Sequence, residues 1–473
     1  MHPFTWIVVL TVLGVAFAVT TWALKPLLSC LPWSSQENSP KKIKNRKIQE
    51  IKALTNCHEV AAKFAELFHT DGAGSWPPNV NHDTTTWPSA LRPYRDIYLQ
   101  MAPLLPQPVA CLDDEVNKAR VANFRAQYRK LLQDRIDMTE VKALLEAANA
   151  GRWDVFPRET YNAFYCCIAS ARHAYRWATV PVVKVVQLER VLDIPAELDV
   201  PWAYMQRNFG CASQSGNNTS CLMINFDNKG EQVYKINTGL EPHVLAAEDT
   251  FVRMFHDIEV LAVPIYHEML HAIVAFARND KVACAKHMAG VTAALRPILG
   301  NYYNNLHDQK IPLKVWLSHV QGFFAWNAGY VDPETNEHVI YDGISGNQIL
   351  VFQCLDAFLG YDAYLSKLDQ DRNLPARQRA LVKALEKHSF RKFLHEAPQD
   401  EAEEQIQKEF AEIVRRLRTF RSAHRVRSKN YLSQPTPERL PMMAGKSLMA
   451  APTMKESFQF LDDFMVSRLN QTI

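Results

Sequence analysis

A short motif of metal-binding type lies near the middle of this chain. Residues 267–271 read His-Glu-Met-Leu-His, so that His267 and His271 are separated by one turn if the segment is helical. Two imidazoles on one helix face can hold Zn²⁺ while the carboxylate between them, here Glu268, acts as a general base. The motif raises the hypothesis of a membrane-anchored zinc peptidase.

A catalytic zinc site needs a third protein ligand, and the usual candidates are missing. No glutamate occurs between Glu268 and Glu334, and residues 272–276 contain no glycine, so neither common downstream ligand pattern is present. His287 remains as a third ligand at an unusual spacing. The alternative interpretation is a pair of histidines on a partly buried helix face, which makes the peptidase a secondary hypothesis.

A second group of residues, nearer the C-terminus, suits a different chemistry. The loop at 343–348 reads Gly-Ile-Ser-Gly-Asn-Gln, and Val-Phe-Gln-Cys-Leu-Asp-Ala-Phe-Leu-Gly follows at 351–360. Farther on, Arg421 precedes His424 by three residues, which places both on one face of a predicted helix. A haem protein that activates oxygen needs one neutral imidazole on the iron and an open opposite face. A histidine is the residue type that such a site requires, and a surface histidine on a solvated basic helix is the alternative interpretation of His424.

These segments resemble the signature of the indoleamine 2,3-dioxygenase family, over about residues 160–432. The resemblance implies that His424 is the proximal ligand of a haem b iron. It also implies that Arg421 and Asp356 form a pair on the proximal side. Ser345 and Gly346 of the loop are expected to face the haem pocket.

The activity implied by the resemblance is a haem-dependent oxidation of tryptophan, or of a related indole, by O2. Both oxygen atoms would insert across the indole C2–C3 bond and give N-formylkynurenine, in tryptophan catabolism by the kynurenine pathway. Ser345 would line the distal pocket as a catalytic residue. The alternative is a relative that binds haem without catalysis.

The pattern departs from the family where the substrate carboxylate is bound. Val320 stands at the position of the family's carboxylate-binding arginine, and no arginine occurs between Arg296 and Arg372. His319 and Gln321 are close in register and offer partial substitutes. A bidentate arginine is hard to replace, so this departure predicts poor binding of tryptophan or a preference for an indole without a carboxylate.

Two further departures concern the pocket walls. Phe255 replaces a small or polar distal residue, and Ile344 stands in the loop where the family usually has glycine. A backbone angle that only glycine adopts would not tolerate Ile344.

The elements that position these residues are predicted to be helices. Glycine is scarce, at 16 of 473 residues, and apolar residues recur at helical spacing, as in Thr160–Trp177 and Phe251–Ala277.

The nine cysteines form no C-x-x-C pair, which favours free thiols in a reducing compartment. A net charge of +3 gives no reason to expect a nucleic-acid partner. We expect an all-α monomer.

The N-terminus predicts a membrane anchor. Residues Pro3–Ala23 carry no charge and are long enough to cross a bilayer, and lysines and arginines follow them. The positive-inside bias places the globular body in the cytosol, and a cleaved signal peptide is the alternative. The predicted segments are an anchor with its flank (1–33), a polar basic linker (34–47), a small helical domain (48–205), a connection (206–239) and a large haem-binding helical domain (240–473).

Overall fold

The structure, a computed structural model, describes residues 40–72, 79–432, 436–442 and 454–473. The structure is 66% helix by residue and has few strands, which confirms the prediction of a mostly helical fold. The predicted anchor at Pro3–Ala23 lies outside the described residues.

The helices before residue 240 carry the labels α1 to α8 in chain order. They are Pro40–Ala53 (α1), Glu59–Thr70 (α2), Arg92–Met101 (α3), Asp114–Arg135 (α4), Met138–Asn149 (α5), Arg158–Trp177 (α6), Lys184–Gln187 (α7) and Ala196–Phe209 (α8). Short 3-10 or π turns occupy Ser89–Leu91, Ala102–Leu104 and Thr219–Met223.

The helices of the second half include the longest in the chain. They are Pro242–Leu261 (α9), Val263–Ala277 (α10), Lys281–Asn305 (α11), Leu313–Val315 (α12), Leu350–Leu359 (α13), Lys367–Asn373 (α14), Ala376–Lys387 (α15), Glu401–Leu432 (α16) and Met454–Gln471 (α17). Short 3-10 or π turns occupy Trp316–Val320, Gln321–Phe324, Gly346–Gln348 and Arg391–Phe393. The strands are Ala328–Val331 (β1) and His338–Tyr341 (β2), which pair antiparallel with Ala328 opposite Tyr341.

Residues Ile51–Ile473 form one compact unit, separate from the residues up to Glu50. Within the compact unit, α11 packs between α10 and α16, and α17 packs on α16. The division into a small and a large domain stays a prediction.

The one described helical stretch that is long and apolar enough to cross a membrane is internal. It spans Pro242–Ala277, which combines α9 and α10, and its most apolar window of 18 residues has a mean hydropathy of 1.6. The most apolar window of this stretch is 56% buried, as is usual for a core helix. This finding concerns the described residues alone, and the predicted span at Pro3–Ala23 stays a prediction.

Helix α6 forms hydrogen bonds to the backbone just before strand β1. The serine-containing loop, residues 343–348, follows strand β2. Helix α6 is buried on nearly every side. Nδ1 of His173 lies 2.8 Å from the carbonyl oxygen of Phe323, and the Trp177 indole donates to the same oxygen at 3.0 Å. The Arg176 guanidinium donates to the carbonyl of Trp326 at 3.0 Å. These bonds fix the segment that begins strand β1.

The loop after strand β2 lies directly against that segment. The Ile344 amide donates to the carbonyl of Phe324 at 2.8 Å. A Cβ on Gly343 would collide with the same oxygen and would lie 2.5 Å from the Cα of Ala325. Since real Cβ atoms do not approach so closely, only glycine allows this contact, which sets the position of Ser345.

Candidate active site

A cavity of about 540 Å³ lies among α9, α13, α16, α17 and the serine-containing loop. Its walls are largely apolar, and aromatic side chains form much of one end. All five site residues predicted from the sequence line this cavity: Ser345, Gly346, Asp356, Arg421 and His424. The fold thus brings together residues from three separate segments of the chain.

Helix α16 brings His424 to the cavity through the spacing of its buried face. The residues of that face recur at intervals of three or four, which is the period of a packed helix seam. They are Ile406, Phe410, Ile413, Leu417, Phe420, His424, Ser428 and Tyr431. His424 takes an inward position in this series, with Ser428 and Tyr431 beyond it.

The surroundings of His424 keep its imidazole neutral. The ring centre lies 5.0 Å from that of Tyr302 and 6.0 Å from that of Phe420, and Nε2 lies 3.3 Å from the hydroxyl oxygen of Ser428. Burial lowers the pKa of His424 to about 4. A neutral imidazole at pH 7 is the form that binds a metal.

Asp356 joins three helices behind His424. Its Oδ1 accepts from Nη2 of Arg421 at 2.6 Å, and its Oδ2 pairs with Arg468 from α17. Arg421 also donates to the hydroxyl of Thr472. Burial lowers the pKa of each arginine to about 10, so both stay charged at pH 7. The result is a buried cluster that holds α13, α16 and α17 together.

Sequence reasoning missed Arg468. The amphipathic pattern at Met454–Leu469 predicts a short helix there, and α17 fulfils that prediction. An arginine near the end of such a helix is usually solvated, so no pattern indicated Asp356 as its partner.

The serine of the loop caps a short 3-10 turn. Ser345 Oγ accepts from the amide of Asn347 at 3.3 Å. The Gln348 side chain accepts from the amide of Asn218 at 2.8 Å, which connects the loop to the segment before α9. Because Oγ accepts in the cap, the hydroxyl proton of Ser345 can donate toward the cavity.

Gly346 and Ile344 lie on either side of this serine. A Cβ on Gly346 would lie 3.6 Å from the Phe255 ring, so the backbone here faces α9 across the cavity. Ile344 is buried and lines the cavity, and it is not among the residues with positive φ. The local backbone is therefore one that any residue adopts, and Ile344 is accommodated without a glycine angle.

The apolar end of the cavity is built from clustered rings. Phe251 on α9 lies 5.0 Å from Phe255, 4.7 Å from Trp316 and 5.6 Å from Phe324, measured between ring centres. Such aromatic walls bind a flat apolar ligand and exclude water.

Val320 and its neighbours do not reach this cavity. Val320 is fully buried and lies outside the lining. Nε2 of His319 lies 3.0 Å from the carbonyl oxygen of Gln107, and the Gln321 amide donates to the carbonyl of Met442 at 3.0 Å. The proposed substitutes for the missing arginine are therefore bonded elsewhere. Among the described residues that line the cavity, the arginines are those of the Asp356 cluster.

A buried carboxylate beside the cavity was also missed. Glu259 at the end of α9 accepts from the amide of Val351 at 3.0 Å and from the Tyr266 hydroxyl at 2.6 Å. Burial raises the pKa of Glu259 to about 7. It thus satisfies an amide at the start of α13 and links α9, α10 and α13. In the sequence, the only indication of this role was that Glu259 is an acidic residue in a largely apolar stretch.

The His-Glu-x-x-His motif lies on α10, as predicted, and none of its residues lines the cavity. The two candidate chemistries of the sequence therefore belong to two separate places in the fold.

Comparison with known proteins agrees with the cavity rather than with the motif. The family model described as Indoleamine 2,3-dioxygenase matches residues 154–458. No curated protein matches the chain. The match covers more than half of the sequence and includes the serine-containing loop, Asp356, Arg421 and His424. The chain belongs to the indoleamine 2,3-dioxygenase family.

Proposed function

We propose that this protein is a haem-dependent dioxygenase that inserts O2 across the indole C2–C3 bond of tryptophan to give N-formylkynurenine. The observation that carries the proposal is one cavity lined by a neutral histidine, a loop serine and aromatic walls, with the Arg421–Asp356 pair behind the histidine.

The residues present fit a haem group. The cavity of about 540 Å³ falls within the range of cofactor pockets, and its walls are mainly apolar. His424 provides the single neutral imidazole that a five-coordinate haem iron needs. When bound, haem supplies the binding and activation of O2 that no amino-acid side chain provides.

The protein's own residues would hold and orient the reactants. The Asp356 cluster fixes α16 against α13 and α17, and so sets the direction of the His424 ring. Phe251 and Phe255 would stack on the indole and exclude water. The Ser345 hydroxyl would donate a hydrogen bond into the cavity.

The apolar end of the cavity supports an indole more strongly than a carboxylate. The described lining of the cavity contains no lysine, and its arginines, Arg421 and Arg468, are engaged with Asp356. We therefore expect tryptophan to bind with a high KM, and tryptamine, which lacks the carboxylate, to bind at least as well.

A second candidate function is haem binding without turnover. Phe255 lines the cavity where the family has a small or polar residue, and its ring favours this alternative by narrowing the space for substrate. Product formation separates the two candidates.

The test uses the full chain produced with a haem supply. We expect a Soret band that shifts when carbon monoxide is added to the reduced protein, and N-formylkynurenine formation from tryptophan and O2. A haem-loaded protein that forms no oxidised indole product from tryptophan or tryptamine would leave the second candidate. A protein without haem would contradict both.

For location, we propose that residues 3–23 anchor the protein with its body in the cytosol, on the charge bias of the sequence alone. Glycosylation sequons of the form Asn-x-Ser/Thr begin at Asn217, Asn218 and Asn470. Asn217 and Asn218 are 1% and 0% exposed, so the folded chain covers them and they give no information on the compartment. Asn470 is exposed. An unmodified Asn470 in a eukaryotic host agrees with the cytosol, and a glycan there would contradict it.

A further inference from the structure

Three histidines converge where helices α10 and α11 pack together, away from the cavity. The ring centre of His271 lies 4.4 Å from that of His267 and 5.0 Å from that of His287. His267 and His271 come from α10, and His287 comes from α11. His267 is buried, whereas the side chain of His287 is 24% exposed. The site is thus near the surface and has an approach from solvent.

Glu268 orients two of these histidines at once. Its Oε1 lies 3.0 Å from Nδ1 of His267, and its Oε2 lies 2.7 Å from Nδ1 of His287. The carboxylate reaches this position because Gly290 faces it on α11. A Cβ at residue 290 would lie 2.9 Å from the Glu268 carboxyl atoms.

This arrangement is the one that proteins use around metal-binding imidazoles. A ligating histidine usually donates its second ring N–H to a carboxylate, which fixes the tautomer and the ring direction. With Nδ1 directed to Glu268, the nitrogen that His267 and His287 present to a metal is Nε2.

We propose that His267, His271 and His287 bind a divalent transition metal, with Zn²⁺ as the first candidate. Two imidazoles on one tetrahedral Zn²⁺, at Zn–N distances of about 2.0–2.1 Å, have ring centres about 5 Å apart. The observed separations of 4.4 and 5.0 Å are close to that value, so His271 lies at the distance of a ligand pair from each of the other two histidines. Three imidazoles leave a fourth position for water, and imidazole suits zinc, copper and nickel.

The geometry separates this site from that of a peptidase. Both oxygens of Glu268 are bonded to histidine Nδ1 atoms, so the carboxylate positions ligands and is not directed at a metal-bound water. A bound ion would connect α10 to α11 and stabilise the folded chain. None of the four residues lines the cavity, so the metal site does not depend on the proposed dioxygenase function.

The experiment is a zinc titration of the full chain after treatment with a chelator. Calorimetry and the visible absorption of bound Co²⁺ would both be recorded. We expect one ion per chain. His271→Ala and His287→Ala should each weaken Zn²⁺ binding more than about tenfold, and Glu268→Gln by about 10–100-fold. His338→Ala removes an exposed histidine on β2 and is the matched control, which should bind Zn²⁺ normally.

Helix content by circular dichroism shows whether each variant folds. If His271→Ala does not fold, His287→Asn keeps a polar side chain at the more exposed position and replaces it in the test. Binding that survives in both the His287 and Glu268 variants would overturn the proposal, as would an equal loss in His338→Ala. Absence of stoichiometric Zn²⁺ binding by the unmodified chain would do the same. Zinc-dependent peptide cleavage that Glu268→Gln abolishes would overturn the positioning role of Glu268.

Discussion

The cavity beside α16 and the histidine cluster between α10 and α11 offer imidazole to a metal in opposite ways. His424 stands alone among aromatic rings, beside an open space of about 540 Å³. In the cluster three imidazoles lie within 5.0 Å of a neighbour, and a carboxylate orients two of them. A lone imidazole with room beside it suits a metal that arrives inside a large cofactor. Several converging imidazoles suit a bare ion, because they complete most of its coordination themselves.

The contrast between the two regions is largest at His424. His424→Ala removes the one histidine that lines the cavity in the described chain, so we expect loss of the normal Soret spectrum and of indole oxidation. Zinc affinity should stay within about twofold, since distant independent sites are additive. Imidazole added to the variant should restore part of the spectrum. Unchanged ligation in His424→Ala would show that the iron is held elsewhere.

The next largest effect is expected behind the cavity, at Asp356. Asp356→Ala leaves Arg421 and Arg468 buried without their carboxylate, which should lower the free energy of unfolding by about 3–5 kcal/mol. Urea denaturation measures this change. Asp462→Ala removes a carboxylate that pairs with the more exposed Arg425 at 2.6 Å, and should cost no more than about 1 kcal/mol. Equal losses in the two variants would contradict a special role for the buried cluster.

Glu259 refines this contrast because it lies between the two regions. It bonds to Tyr266, which precedes His267 of the cluster, and to Val351, which precedes Phe352 of the cavity lining. Burial raises its pKa from 4.5 to about 7, so the folded protein holds a proton that the unfolded chain releases between those pH values. Stability should therefore fall by about 3 kcal/mol as pH rises from 4.5 to 7, and then change no further from this group.

Glu259→Gln mimics the protonated form and should remove this pH dependence. The free energy of unfolding, measured by urea at several pH values against the unmodified chain, tests the sign. Glu386→Gln, at an exposed position, is the control and should leave the slope unchanged. If the slope survives in Glu259→Gln, another group is responsible for it.

The smallest expected effect is at Ser345. Ser345→Ala removes a cap hydrogen bond of about 1 kcal/mol and should lower indole oxidation by about fivefold, with the Soret band unchanged. Ser366→Ala removes another N-cap serine that lines the cavity, and should lower stability without lowering turnover. Equal turnover in Ser345→Ala and the unmodified protein would show that Ser345 caps the 3-10 turn and has no part in the reaction.

The sequence predicted the parts of these sites that depend on local spacing. Arg421 and His424 share a helix face, and the resemblance of local motifs to the indoleamine 2,3-dioxygenase family was enough to name both together with Asp356. The partners contributed by distant segments could not be named in this way. Arg468 reaches Asp356 only because α17 packs on α16, and Glu259 meets Val351 only because α9 ends beside α13.

The histidine cluster shows the same limit. His287 could be named as a third ligand, but its spacing from His271 carries no geometric information until α10 and α11 pack side by side. For Ile344, which replaces the family's usual glycine, the sequence could not show which backbone angle the chain adopts, and the structure shows one without positive φ.

One helix carries a residue of each region. His287 of the cluster and Tyr302 of the cavity wall both lie on α11, with Pro297 between them. At about 1.5 Å per residue the two are separated by no more than about 22 Å along the axis. Such a spacing is within reach of dipolar coupling between two paramagnetic centres. With Cu²⁺ in the cluster and ferric haem in the cavity, the distance between the two sites would be measurable by electron paramagnetic resonance without an added spin label.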